Sequence, residues 1–241
     1  MIGMRRLAGA LGMAAVCAGT LGAQVGYEPR NSPFRDLEFN QELSIYSGYY
    51  RAKSDPAQAA PRSGPILGLH YEWRAGGPAS VTADFSRLAT DRRVLDPEKP
   101  AFCNGDSTRS CKLIDEFRWP VYFADLGLAL NLTGARSFYR LVPQLKAGIG
   151  VASDFHTSAD VGDFEFGTRF GFSWGAGITW TPGSRYQLRF DFVNHLYSLK
   201  YPELYFRPAD DNTTVLSANQ DRSVWLNNPS LSIGLSYLFS R

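Results

Sequence analysis

Apolar and polar residues alternate with a period of two along most of this chain. That period marks β-strands with unlike faces, and it excludes a helical fold for the segments that carry it. In residues 64–74, Pro65, Leu67, Leu69, Tyr71 and Trp73 share one face; Ile66, Gly68, His70, Glu72 and Arg74 share the other. Residues 118–132 set Tyr122, Ala124, Leu126, Leu128, Leu130 and Leu132 against Asp125, Gly127, Ala129 and Asn131. Residues 166–181 set Phe170, Phe172, Trp174, Ala176, Ile178 and Trp180 against Gly171, Ser173, Gly175, Gly177 and Thr179. From Tyr186 on, Leu188, Phe190 and Phe192 oppose Gln187, Arg189 and Asp191, and the chain closes with Leu231, Ile233, Leu235, Tyr237 and Phe239 against Ser232, Gly234 and Ser236. Residues 42–51, 79–88 and 138–153 complete a predicted set of eight strands, the last marred by Pro143, which no closed sheet tolerates easily.

The connections alternate too. Residues 75–78, 133–137 and 182–185 are short turns after the second, fourth and sixth strands. Long connections follow the first, third, fifth and seventh. Short turns at one mouth and long loops at the other describe an up-and-down barrel. Alternation alone does not say which face points inward. An eight-stranded barrel has a lumen just wide enough for side chains or one small ligand. Trp73, Tyr122, Tyr139, Phe170, Phe172, Trp174, Trp180, Tyr186, Phe190, Phe192, Tyr237 and Phe239 are too much aromatic volume for it, whereas the Gly, Ser, Ala and Thr of the other face fit. Aromatics near strand ends, such as Trp73, Trp180 and Tyr186, also suit the two interfaces of a lipid bilayer. The apolar face is therefore expected to point outward, into lipid. A secreted soluble lipocalin-like carrier, with the aromatics lining a pocket, is the inverse.

Over residues 42–241 the chain resembles the small eight-stranded bacterial outer-membrane barrels of the OmpA and OmpX type, at the level of pattern. In that family a terminal aromatic-x-Phe strand is the assembly signal read by the barrel-insertion machinery. Tyr237 and Phe239 match it, although Ser240 and Arg241 follow where the family usually stops. The resemblance implies an outer-membrane location in a diderm bacterium, with outer-membrane lipid, lipopolysaccharide and the insertion machinery as partners. It implies no single activity, because one fold hosts many.

The opening residues fit export. Arg5 and Arg6 precede an uncharged run from Leu7 to Gly19, and Ala23 offers a small residue before Gln24, the pattern of a cleaved signal peptide. The expected organisation is a signal peptide at 1–23, a periplasmic N-terminal extension at 24–41, and a barrel at 42–241. The fold class is all-β: one eight-stranded antiparallel up-and-down transmembrane β-barrel, with both ends of the mature chain in the periplasm and four loops outside. Without the leader, 25 basic and 23 acidic residues become 23 of each, which gives nucleic acid no electrostatic foothold.

The polar face carries His70, Glu72, Arg74, Asp84, Asp125, Arg140, Lys146, Arg169, Arg189 and Asp191. Buried charges are costly unless paired, so these are expected to form a salt-bridged network that fills the lumen. A narrow small-solute channel is the functional alternative. Cys103 and Cys111, in the longest loop, are expected to form a disulfide in an oxidising compartment. An outer-membrane lipid-modifying enzyme would need a Ser activated by a His. Asp191, His195 and Ser198 share one strand, but the odd spacing puts His195 and Ser198 on opposite faces; His156, Thr157 and Ser158 sit in a loop. Neither set has a signature spacing. The expectation is a non-enzymatic protein without catalytic residues, metal or cofactor, structural or binding through the loops after the third and seventh strands, with Tyr205, Phe206 and Trp225 as candidate contacts. Ligand and oligomeric state stay open.

Overall fold

A computed structural model describes residues 32–103, 106–156, 158–183 and 185–239, without the side chains of 102, 103 and 106–109. The expected signal peptide and most of the N-terminal extension lie outside the described residues. Eight strands form the body: β1 (Gln41–Tyr50), β2 (Gly64–Gly76), β3 (Ala79–Leu88), β4 (Val121–Asn131), β5 (Leu141–Ser153), β6 (Thr168–Trp180), β7 (Tyr186–Lys200) and β8 (Ser223–Phe239). Each pairs antiparallel with its chain neighbours, and β8 pairs with β1, Ser236 opposite Ser44 and Phe239 opposite Gln41. The sheet is therefore a closed up-and-down barrel.

The faces fall as the alternation requires. Leu43, Ile45, Leu67, Leu69, Leu126, Leu128, Phe170, Trp174, Leu231 and Ile233 are exposed on the outside, while Glu42, Ser44, His70, Glu72, Thr82, Gln144, Arg189 and Ser236 are buried inside. A water-soluble protein does not display so continuous an apolar surface, and a lipocalin-like reading is overturned by the same fact. The 11 residues of β4, tilted about 40°, span about 28 Å, which matches the apolar band of a membrane barrel.

Several boundaries differ from the sequence reading, each for a physical reason. Tyr139 and Arg140 have φ of 48° and 64° and close a tight hairpin in which Phe138 pairs with Leu141. Arg140 is exposed at the turn, so its expected place in the lumen is wrong. Pro143 is tolerated because its carbonyl accepts from Leu132 N–H, so its missing N–H points the same way, past the end of β4. The extension is not featureless: Phe34–Asp36 forms a short strand against Arg136–Phe138, fixed by Asp36–Arg136 at 2.8 Å and by Phe34 on Phe138. β8 begins at Ser223, well before the apolar run that revealed it. In the long loop between β3 and β4, Asp91–Leu95 pairs with Leu113–Arg118 as a second hairpin.

Candidate functional site: a filled lumen beneath a folded cap

The interior has two tiers. The tier nearer the short turns is polar and centres on Arg189, whose side chain is 1% exposed. Its Nη1 donates to Glu42 Oε1 at 2.7 Å and lies 3.4 Å from Glu72 Oε2; its Nε donates to Asp191 Oδ2 at 3.2 Å. Lys146 Nζ holds the other Asp191 oxygen at 2.5 Å. His70 stands between two carboxylates, Nδ1 at 2.8 Å from Asp84 Oδ1 and Nε2 at 3.6 Å from Glu72 Oε2. Gln144 Nε2 donates to Glu72 and to Asn131 Oδ1, and Ser44 Oγ donates to Glu42 while meeting Ser236 Oγ at 2.8 Å. Groups from opposite walls thus meet across the barrel axis. A cavity of about 40 Å³ remains beside them, bounded by Tyr46, Asp84, Asp125, Lys146, Asp191 and His195. That is room for one or a few water molecules.

The structure brings together His70, Glu72, Asp84, Lys146, Arg189 and Asp191 as the sequence predicts, with Asp125 on the cavity wall. It leaves out three others. Arg140 is in the turn. Arg74 sits at the short-turn mouth and donates to the Phe39 carbonyl at 2.6 Å. Arg169, at the long-loop end, donates to the Glu165 carbonyl at 2.7 Å. Glu42, Asn131 and Gln144 join the network beyond the residues that the sequence points to. The alternation of β1 is blurred by Tyr46, Tyr49 and Tyr50, which masks the parity of Glu42; Gln144 and Asn131 have the right parity but no charge to single them out.

The second tier, nearer the long loops, is apolar. Tyr50, Ile66, Leu88, Phe123, Tyr197, Leu199 and Leu226 turn inward from the strand ends and pack against Phe164, Phe166, Tyr205 and Leu216 from the loops. His195 lies in this layer, its ring 4.8 Å from Phe123, and Tyr50 and Tyr197 share a hydroxyl contact of 3.2 Å. The loops are thereby folded down onto the barrel as a cap. Three polar ties lock it. Asp55 accepts from Ala59 N–H, Ala60 N–H and Tyr201 Oη. Lys112 Nζ donates to the carbonyls of Pro97, Lys99 and Thr213. Arg92 meets Asp160 with both terminal nitrogens at 3.1 Å and is sandwiched between Trp119 and Phe164, each ring 5.2 Å from its guanidinium carbon. Burial pushes the Asp160 carboxyl up, the Arg92 charge only partly offsetting it, and burial likewise raises the Tyr201 phenol beside Asp55.

The candidate contacts and catalytic sets fare unevenly. Tyr205 is buried in the cap and Phe206 packs against it, so neither is a free contact; Trp225 is exposed on the lipid face of β8. On β7, His195 points inward and Ser198 outward. Ser158 Oγ lies 2.6 Å from His156 Nε2, but the imidazole rests edge-on against Trp119, and no acid hydrogen-bonds to its ring among the described residues. Thr157 lies outside the described residues, as does the Cys103 side chain, and with it the expected disulfide. Tyr237 and Phe239 project outward from the end of β8, Tyr237 over Tyr186 and Phe239 beside Tyr71. Among the described residues no group of three His, Cys, Asp or Glu is arranged to hold a metal ion.

No protein-family model matches the chain, and no curated protein matches its sequence. Solved structures of similar shape are found. Neisserial surface protein A is 13% identical with a TM-score of 0.49, covering 83% of this chain and 97% of its own. The outer membrane protein OprG of Pseudomonas aeruginosa is 12% identical with a TM-score of 0.46, covering 85% of this chain and 98% of its own. Ail, the attachment invasion locus protein of Yersinia pestis, solved with a heparin analogue, is 16% identical with a TM-score of 0.39, covering 83% of this chain and 100% of its own. These likenesses carry no argument of their own; the strand pairing and the outward apolar rows described above make the chain an eight-stranded antiparallel β-barrel.

Proposed function

We propose that this chain is a bacterial outer-membrane protein with a sealed lumen, exported by a cleaved signal peptide, whose work is done by the surface of its loop cap rather than by transport or catalysis. The observation that carries the reading is the double closure of the interior. A charged network centred on Arg189 crosses the axis, and an apolar plug of strand ends and loops lies over it. A channel of any use to a solute needs neither to be there. The cap supports a binding or structural role because Asp55, Lys112 and Arg92 tie its loops together, and a surface held in this way loses less entropy on binding than mobile loops do. The long loops then face outward, the short turns face the periplasm, and Tyr237 and Phe239 present the assembly signal. Planar-bilayer recording of the refolded protein tests the sealed lumen. Silence at physiological salt is expected; reproducible unitary steps would return the channel to first place.

A further inference from the structure

On one side of the molecule the apolar exterior does not stop where the strands stop. Phe85 on β3 stacks with Tyr122 on β4 at 6.2 Å, and Tyr122 meets Phe155, just past the end of β5, at 5.3 Å. Phe155 is 72% exposed and reaches the outward side of the barrel through its contact with Tyr122. Its neighbour His156 rests on Trp119, and Trp119 on Phe117, at the foot of the second hairpin. Val161 and Ile114, on the same two loops, are exposed as well. Phe155 lies two residues past the end of β5, in a left-handed turn (φ 53°) that lays its ring on Tyr122 at the strand's edge. Two cations flank the ladder. Arg87 is exposed on the outward row directly above Phe85 and has no ion pair among the described residues. The Arg118 side chain is 95% exposed, with only a long 3.8 Å approach to Asp91. The β7–β8 loop differs in character: Asp210, Asp211, Ser217, Asn219, Gln220 and Asp221 are exposed and polar.

We infer that the β3–β5 side of the cap is a lipid-docking surface, on which the aromatic ladder lies in the headgroup layer while Arg87 and Arg118 bind the phosphate of an anionic lipid. Continuity with the lipid-facing belt identifies the occupant: an aromatic row that rises unbroken from acyl chains meets the headgroups next. Rings with polar edges and flanking arginines are the side chains that suit that zone. The inference rests on the membrane reading above, and the test separates the two.

Benzoylphenylalanine is placed singly at Leu128, Phe155, Phe117 and Asn219 in the otherwise native chain, reconstituted in vesicles of equal phosphatidylcholine and phosphatidylglycerol. After irradiation, lipid adducts are counted by mass spectrometry. Adducts at Leu128, Phe155 and Phe117 but not at Asn219 are expected, with at least twofold enrichment of phosphatidylglycerol at Phe155. Paired R87Q and R118Q changes should abolish that enrichment and leave adduct yield at Leu128 unchanged. Adducts at Leu128 alone overturn the docking surface and keep the barrel in the membrane. No adducts even at Leu128 overturn the membrane reading itself. Equal capture of both lipids at Phe155 overturns the phosphate contact.

Discussion

Replacing Arg189 with Met tests the lumen network at its centre. The guanidinium touches Glu42, Glu72 and Asp191, and the substitution removes all three contacts at once. The loss is unequal. Asp191 keeps Lys146, and Glu72 keeps Gln144 and His70. Glu42 keeps the hydroxyls of Ser44 and Ser236 and is left as a buried carboxylate without a cation in contact. Breaking a buried ion pair from one side costs about 3–5 kcal/mol, so the folding equilibrium should fall roughly 150- to 5,000-fold. Adding Glu42→Gln removes the stranded charge, so the double variant should be more stable than Arg189→Met alone by roughly 1–3 kcal/mol. Urea titration of the refolded protein in lipid, followed by the folded band on an unheated gel, reads both quantities. A single variant within about 1 kcal/mol of the parent, or a double variant no better than the single, would refute the claim that Arg189 organises the lumen.

Arg92→Ala should loosen the cap without unfolding the barrel, because the residue ties two loops and strand pairing does not depend on it; limited proteolysis should cut within 154–167 many times faster while the heat-shifted band persists. Arg92→Lys should restore only part of that protection, since an ammonium does not fill the flat slot between Trp119 and Phe164. The Asp211 carboxyl accepts from Thr213 Oγ1, from Ala101 N–H and from Thr213 N–H, and these hydrogen bonds hold its pKa down at about 2. A lowered carboxyl gives stability that is present above its free value, about 3.9, and lost as pH falls through the folded one. Amide exchange at Ala101 should therefore accelerate between about pH 4 and pH 2, beyond the intrinsic pH trend, and Asp211→Asn should flatten that response. Cys103 and Cys111 should resist alkylation until reduced, the bond contributing on the order of 2–3 kcal/mol; two alkylated thiols in protein from an oxidising compartment would remove it.

What the sequence made legible follows from where unlike environments face each other. Along most of β2, β4 and β6 one face is apolar and outward and the other meets polar side chains, Ile66 and Phe123 at the plug excepted, so the alternation in residues 64–74, 118–132 and 166–181 marks strands whose ends agree with the structure within a few residues. The start of β8 was not legible. There apolar Leu226 and polar Asn228 both point inward, and Trp225 and Asn227 both point outward, so neither face keeps one character and the period vanishes. At the end of β7, Leu199 turns into the plug while Ser198 and Lys200 face outward, which reverses the polarity of the faces. Phe34–Asp36 is too short to show any period. The cap was invisible for another reason: Arg92 and Asp160 are 68 residues apart, and nothing local to either names the other. In the lumen, parity found the charged groups, but it ran through the Tyr139–Arg140 turn as if it were strand. It also took no account of depth, which sends Arg74 to one mouth and Arg169 to the other.

The central claim is a closed barrel that lives in the outer membrane. The most direct measurement is the electrophoretic migration of the protein extracted from outer membranes of a diderm host, unheated against boiled. The account predicts recovery in that fraction and a detergent-resistant band whose mobility changes on boiling. Recovery in the soluble periplasmic fraction, with one mobility before and after heating, would contradict it.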